Sequence, residues 1–298
     1  MPSLREIKDR IGSVRSTLKI TSAMKLVSSA KLRKAQKAIE GLRPYESALN
    51  EILSSLLACA PSVHVATGGH GSARPAAAGS KRMAVVVISS NSSLCGGFNA
   101  NAIKKAFEVI RSFEAEHYAI EVHSLGRKAA DAMRKAGYQS PEDYSDLVAH
   151  PGYEKTLPLA RSLSDRHAAG ELEQVVLVYN HFVTTAKQLP VVEQYLPFEF
   201  KVEKAEIEDE FVDADEYIVE PCAAEVVETL LPQVLMLKFH TAILDSQAAE
   251  QAARTVAMQT ATDNAEELLG ELTLEYNKGR QQKITSEILD LLGGSAAQ

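Results

Sequence analysis

The sequence predicts an α/β protein: a long antiparallel coiled coil formed by the N- and C-terminal helices, plus a middle α/β domain with a mainly parallel sheet. Three observations predict it. Both chain ends carry apolar residues at helical spacing over some fifty residues or more, the middle alternates strand and helix patterns, and the two ends differ in charge.

The first element is a helix over 3–57. That stretch has one proline, Pro44, and two glycines, Gly12 and Gly41. Leu4, Ile7, Ile11, Val14 and Leu18 alternate by three and four, the spacing of a coiled-coil seam. Met24, Val27, Ala30, Ala38, Leu42, Leu49, Ile52 and Leu56 are read as its continuation. Ser3 and Glu6 have capping-box spacing. Pro44 is expected to kink or locally end the helix.

Residues 60–82 are low-complexity and loop-like, and their His64 and His70 lack companion metal ligands. MAVVVISS (83–90) reads as a buried strand, followed by a turn and a helix over 101–113. IEVHSLG (120–126) is a second strand, with a helix over 126–137. VVLVYNHF (175–182) and PVVEQYLPF (190–198) are a third and fourth. Strand–helix alternation implies a parallel sheet with crossover helices. An acidic stretch, 203–220, leads into the last helix.

Residues 223–292 give the second long helical pattern. Val226, Val227, Leu230, Val234, Leu237, Ile243, Ala249, Ala252, Val256, Leu268, Leu272, Ile284, Ile288 and Leu291 mark its stripe. Between Ala242 and Ala265 the stripe is mostly alanine, which lets a partner backbone come close. Pro232 is expected to bend it.

Length argues for pairing. A 50-residue helix is roughly 75 Å long, whereas a domain of about 150 residues is roughly 40 Å across. An apolar stripe cannot overhang into water, so the two helices are expected to cover each other. Residues 1–57 carry eleven Lys/Arg against five Asp/Glu, and 223–292 carry five against eleven, which suits that pairing. The expected domains are 1–58 with 221–298 as the coiled coil, 59–82 as a flexible linker and 83–220 as the α/β domain.

Composition bounds the function. At 298 residues, two structural units are expected. A net charge of −7 argues against general nucleic-acid binding. Cys59, Cys95 and Cys222 are far apart in sequence, which fits a reducing compartment and no disulfide framework. No run of about 18 apolar residues exists, so no membrane span is expected. The N-terminus lacks a signal-peptide core and carries acidic residues, unlike a transit peptide.

No catalytic constellation emerges. LCGG after the first strand opens a helix, where backbone N–H groups cradle phosphates in some proteins, but GxGxxG and GxxxxGK[ST] are both absent. The commoner role of Gly96 and Gly97 is a tight turn. Cys95 has no basic neighbour in sequence to activate it. No cofactor or metal is expected. Two functional readings arise from the residues themselves: a coiled-coil scaffold with a ligand-binding α/β domain, and a nucleic-acid binder using Lys25, Lys31, Arg33, Lys34 and Lys37.

LREIKDRIGSVRSTLKITSAMKLVSSAKLRKAQ (4–36) and TATDNAEELLGELTLEYNKGRQQKITSEILDLLGG (260–294) resemble the gamma subunit of the F-type ATP synthase, the central rotor shaft. SSLCGGFN (92–99), LVYNHF (177–182) and EPCAAEVVETLLPQVL (220–235) add to the match, while 60–82 and 140–170 match poorly. The resemblance implies a Rossmann-like α/β domain at the foot of a shaft that enters a ring of alternating alpha and beta subunits. It implies further contacts with epsilon and the membrane c-ring, and no catalytic residue on this chain. The family motif ARQxxITxE stands here as Gly279-Arg280-Gln281 followed by Ile284-Thr285-Ser286-Glu287. Arg280, Gln281, Thr285 and Glu287 are implied to contact beta loops, and Met24 and Lys25 to meet an acidic loop of beta. Asn91-Ser92-Ser93 departs from the family's charged loop before LCGG, and Ser22 and Gly279 are further departures. The chloroplast form's regulatory cysteine pair is missing. The implied setting is the cytoplasmic side of a bacterial inner membrane, peripheral to it.

Overall fold

The computed structural model describes residues 3–59, 81–198, 219–220 and 222–296. The expected linker 59–82, with His64 and His70, and the acidic stretch 203–220 lie outside the described residues except at their ends. The elements are α1 (Leu4–Cys59), β1 (Arg82–Ile88), α2 (Phe98–Ala115), β2 (Ala119–Leu125), α3 (Arg127–Lys135), α4 (Ser145–Ala149), α5 (Tyr153–Ala168), β3 (Gln174–Phe182), β4 (Gln188–Leu196) and α6 (Ala223–Ala296). They divide into two compact units: Met1–Ala30 with Arg254–Gln298, and Lys31–Ala253.

The capping box forms at the start of α1. Ser3 N donates to Glu6 Oε2 at 2.9 Å, and Glu6 N to Ser3 Oγ at 3.3 Å. Along α1 the three–four alternation never slips. Leu4, Ile7, Ile11, Val14, Leu18, Thr21, Lys25, Ser28, Leu32, Ala35, Ile39, Leu42, Glu46, Leu49, Leu53 and Leu56 are all buried or half-buried. This corrects the continuation read from apolarity alone. Val27, Ala30 and Ala38 are exposed, and the seam passes instead through Thr21, Ser28 and Ala35. A 3.5-residue repeat keeps its register through small polar residues, since the seam needs small volume there rather than apolarity.

Neither Pro44 nor Pro232 ends its helix. Both rings are exposed. The carbonyl that each proline leaves without an N–H partner therefore sits on a solvent-facing side.

In the first unit the two helices run antiparallel. Leu4 meets Gly279, Thr21 meets Thr262, and Lys25 meets Gln259, so each step up one helix is a step down the other. Thr262 Oγ1 lies 3.0 Å from Thr21 Oγ1 and 2.8 Å from Met258 O, so this buried polar pair has hydrogen-bond partners inside the seam.

In the second unit the sheet has strand order β2-β1-β3-β4. β1 pairs in parallel with β2 and β3. β4 is antiparallel to β3, because the short link 183–187 can make only a hairpin turn; a parallel crossover needs a dozen residues or so. The helices α4 and α5 were not read from the sequence. Pro158 interrupts the expected pattern, although Thr156, Leu159, Ala160 and Leu163 form a buried stripe.

β1 is buried on both faces, and its alternation sorts two cores. Ala84, Val86 and Ile88 face Leu159 and Leu163 of α5 and Leu231, Leu235, Phe239 and Ile243 of α6. Met83, Val85 and Val87 face Ala106, Val109 and Ile110 of α2 and Met133 of α3. α6 therefore covers one face of the sheet and α2 and α3 the other. In contrast to the sequence expectation, α6 contains an 18-residue stretch whose mean hydropathy and length suffice to cross a membrane, although it is no unbroken apolar run, and half of it is buried, as in a core helix.

Within this unit α1 and α6 share apolar contacts. Leu49, Leu53 and Leu56 pack with Val227, Val234 and Leu237. Leu32 and Ala35 pack with Ala248 and Ala252, where the α6 side chains are small.

Candidate functional site

Three places could carry function: the turn after β1, the cavity beside β2, and the outer surface of the first unit.

The turn after β1 bends tightly, with φ of +67° at Leu94 and +57° at Gly96. Its polar groups satisfy one another. Ser90 N donates to Asn99 Oδ1 at 2.9 Å, Asn99 Nδ2 to Ser90 Oγ at 2.8 Å, and Ser90 Oγ to Ser92 O at 2.6 Å. Asn91 Oδ1 accepts from Arg127 N at 3.1 Å and Ser89 Oγ from Ala129 N at 2.8 Å, so the start of α3 is also engaged. A Cβ on Gly126, where φ is +99°, would lie 2.3 Å from Ser89 O, so only glycine fits that approach. Cys95 and Phe98 pack on Ala249 and Ala253 of α6. α6 thus fills the crevice at the carboxyl edge of β1 and β3, where open α/β sheets bind ligands. Cys95 Sγ is buried and accepts from Asn99 Nδ2 at 3.1 Å. The thiol of Cys95 is therefore not available at the surface as a nucleophile.

A cavity of about 380 Å³ lies beside β2, α4 and α5. Several of its charges are paired, although Glu142 and Asp143 line it too. Arg166 grips Glu121 through two bonds of 2.9 and 2.7 Å and also reaches Glu171 at 3.1 Å. Lys155 meets Asp146 at 2.6 Å. The Arg166 hydrogen bonds hold Glu121 below its ordinary pKa. Burial lowers that of His123 despite Glu121 Oε1 lying 2.9 Å from Nε2, off the line of a hydrogen bond. Burial also pushes Tyr144 up to about 12. This is a structural charge network. Among the described residues no cluster of His, Cys, Asp and Glu could hold a metal.

The outer surface of the first unit is different. Ile20, Leu26 and Val27 on α1, and Leu274, Ile284, Ile288 and Leu289 on α6, are exposed; Leu26 is 68% and Leu274 72% accessible. Ile20, Leu26, Val27 and Leu274 lie on the outward sides of the paired stretch, whereas Ile284, Ile288 and Leu289 lie past the start of α1, since Leu4 already meets Gly279. Ile284, Ile288 and Leu289 fall within two turns of one helix, and neighbouring apolar exposure of that kind marks an interaction surface.

The six implied contact residues fall in this unit. Arg280, Gln281, Thr285 and Glu287 are exposed on one stretch of α6. Thr285 Oγ1 bonds back to Gln281 O at 2.9 Å, and Glu287 lies 3.7 Å from Lys283. Met24 and Lys25 are half-buried, and Lys25 Nζ donates to Gln259 Oε1 at 2.9 Å. Arg280, Ile284 and Glu287 share one face, with Gln281 and Thr285 beside it. The sequence reading missed Leu26, Leu274 and Leu289 as surface positions. The available signal was that each is apolar yet lies off the three–four seam.

A helical pair with an apolar exterior, and an α/β domain whose crevice is filled from within, define a structural subunit of a larger assembly. A family model described as ATP synthase matches residues 3–297. An ATP synthase gamma chain of Phocaeicola vulgatus is 46% identical over 298 residues, covering 100% of both chains. One from Pelotomaculum thermopropionicum is 39% identical over 297 residues, covering 100% of this chain and 99% of that one. Among solved structures, the rotor of the Euglena gracilis mitochondrial ATP synthase superposes with a TM-score of 0.57 at 19% identity, over 94% of this chain and 98% of that one, and shares the fold. The chain belongs to the ATP synthase gamma-chain family. Its role is that of the central-stalk subunit of a membrane-associated complex, and catalysis belongs to other chains.

Proposed function

We propose that this chain is the rotor shaft of a proton-translocating F1Fo ATP synthase, coupling rotation of a membrane c-ring to conformational cycling of catalytic beta subunits. Segments 1–58 and 221–298 form the shaft, and 83–220 is the α/β domain at its foot. The shaft turns within a ring of three alpha and three beta subunits, while the foot meets epsilon and the c-ring. The complex sits on the cytoplasmic face of a bacterial inner membrane, with this chain peripheral to it and carrying no cofactor.

The exposed apolar side chains of the first unit carry this reading. Leaving them in water costs roughly 25 cal/mol per Å² of apolar surface, a cost that an enclosing sleeve removes. Arg280, Gln281, Thr285 and Glu287 supply directional contacts to beta at the tip, and Met24 and Lys25 supply a second set. A shaft whose sides differ contacts each beta subunit differently at each angle. Such a ligand shifts each subunit's conformational equilibrium by its differential contact energy and by no more than that.

Truncation after Gln282 tests the reading. It is expected to lower ATP-driven proton pumping in the assembled complex while leaving the fold of 83–198 intact by circular dichroism and proteolysis. A truncated chain that assembles into a fully coupled complex would remove the tip contacts from the mechanism.

A further inference from the structure

α6 is tied to the α/β domain by polar bonds over four successive turns. Tyr195 OH of β4 donates to Leu235 O at 3.1 Å, in the core. Lys238 Nζ pairs with Glu193 Oε1 of β4 at 2.9 Å, and Glu193 Oε2 accepts from Tyr179 OH of β3 at 2.9 Å. His240 Nδ1 lies 3.2 Å from Thr156 Oγ1 of α5. Gln247 Nε2 donates to Val148 O of α4 at 3.4 Å.

Asp245 binds the end of β3 twice. Its Oδ1 accepts the Phe182 N–H at 3.1 Å, and its Oδ2 lies 2.5 Å from His181 Nδ1. The Asp245 side chain is only 14% exposed, so water competes weakly for these bonds. The Phe182 ring packs into both alanine-lined clusters, beside Ala249 and Ala253 and beside Ala248 and Ala252.

α1 meets α6 in the same unit chiefly through Leu49, Leu53 and Leu56 and through Leu32 and Ala35, with Arg43 and Glu46 acting on Asp245 and Lys238 only through the field of their charges. Apolar contacts are non-directional, so they hold two surfaces together without fixing rotation of one about the other. Hydrogen bonds to charged groups fix angle and distance. The two kinds of contact are therefore suited to different loads.

We propose that torque between the α/β domain and the helices passes through this polar ladder on α6, with Asp245 as the positioning residue that sets the rotational register of the sheet on the helix. The inference rests on the rotor reading above. α1 stiffens the pair, and α6 carries the twist.

The test uses the assembled synthase in inverted membrane vesicles, with Asp245→Ala, Asp245→Asn, Lys238→Met and Leu49→Ala. Two quantities are read: protons pumped per ATP hydrolysed, and exchange of the Phe182 amide. Asp245→Ala removes both bonds at Phe182 and His181. Loss of a hydrogen bond to a charged group corresponds to about tenfold faster amide opening, and the pumping ratio falls severalfold while ATP hydrolysis continues. Asp245→Asn keeps an acceptor for the Phe182 N–H and recovers both readouts. Lys238→Met lowers the ratio in the same direction and serves if the Asp245 variants fail to assemble. Leu49→Ala leaves the ratio at the parental value in complexes that assemble. A parental ratio in assembled Asp245→Ala and Lys238→Met complexes overturns the proposal, as does equal uncoupling by Leu49→Ala. A parent complex that hydrolyses ATP without pumping would refute the rotor reading instead.

Discussion

Ala252→Leu is the sharpest test of helix pairing. Ala252 is fully buried, packed with Leu32 and Ala35 of α1 and beside Ala248 on its own helix. Leucine adds three carbons where no space exists. Overpacking a formed core costs about 1–3 kcal/mol. On an unpaired helix the same change is nearly neutral, since alanine and leucine differ little in helix propensity. Ala23 is exposed on α1, so Ala23→Leu is the matched control. For a chain of this size each kcal/mol moves the melting temperature by about 2–4 °C. Urea and thermal unfolding of the purified chain should show Ala252→Leu clearly less stable and Ala23→Leu within about 0.5 kcal/mol of the parent. If the two variants behave alike, the alanine stripe is not a site of close helix approach.

Three further outcomes follow from the structure. Gly279→Ala should gain up to about 1 kcal/mol of helix propensity, because its new Cβ, 3.0 Å from Leu4 Cδ2, meets only the movable end of a side chain; slower amide exchange over 275–283 checks this, and a loss of stability would make the close approach essential. Tyr195→Phe should cost about 1 kcal/mol in urea unfolding, the net worth of the buried bond to Leu235 O; an unchanged midpoint would show that bond to be dispensable. Stability should fall on acidification in two steps of the same sign. Burial holds His123 below its ordinary 6.5, so the unfolded chain takes up that proton first and stability declines as pH falls through 6.5. The Arg166 hydrogen bonds hold Glu121 below its ordinary 4.5, so its contribution is present above 4.5 and lost as pH falls further. Urea midpoints measured against pH should show Glu121→Gln flattening the lower step and deepening the upper one, because the Glu121 charge holds His123 up, and parallel curves would exclude the network as their source.

The helices and their antiparallel pairing were legible because a 3.5-residue repeat and opposite charge are local facts of sequence. Their seam was only half legible. Apolarity pointed to Val27 and Ala30, whereas the structure threads Thr21, Ser28 and Ala35. Period carried the information there and hydrophobicity misled, because Leu26 and Val27 are apolar yet lie off the seam and exposed. β1 and β3 were plain as apolar runs. The orientation of β4 was set by a five-residue link, a feature of length rather than composition. α5 was hidden by Pro158. Asp245 gave no sign at all, since one acid in a long helix looks like any solvated charge until the end of β3 is placed against it. The filled crevice was equally silent, because it depends on α6 reaching Cys95 and Phe98 from some 150 residues away.

The claim that other subunits clothe the helical pair can be measured directly with a single thiol. Leu274→Cys, in a chain with Cys59, Cys95 and Cys222 replaced by serine, places a reporter at a position 72% exposed in this chain alone. Rapid maleimide labelling of the isolated chain and strong protection in the assembled synthase is the predicted result. Equal labelling in both would contradict the account.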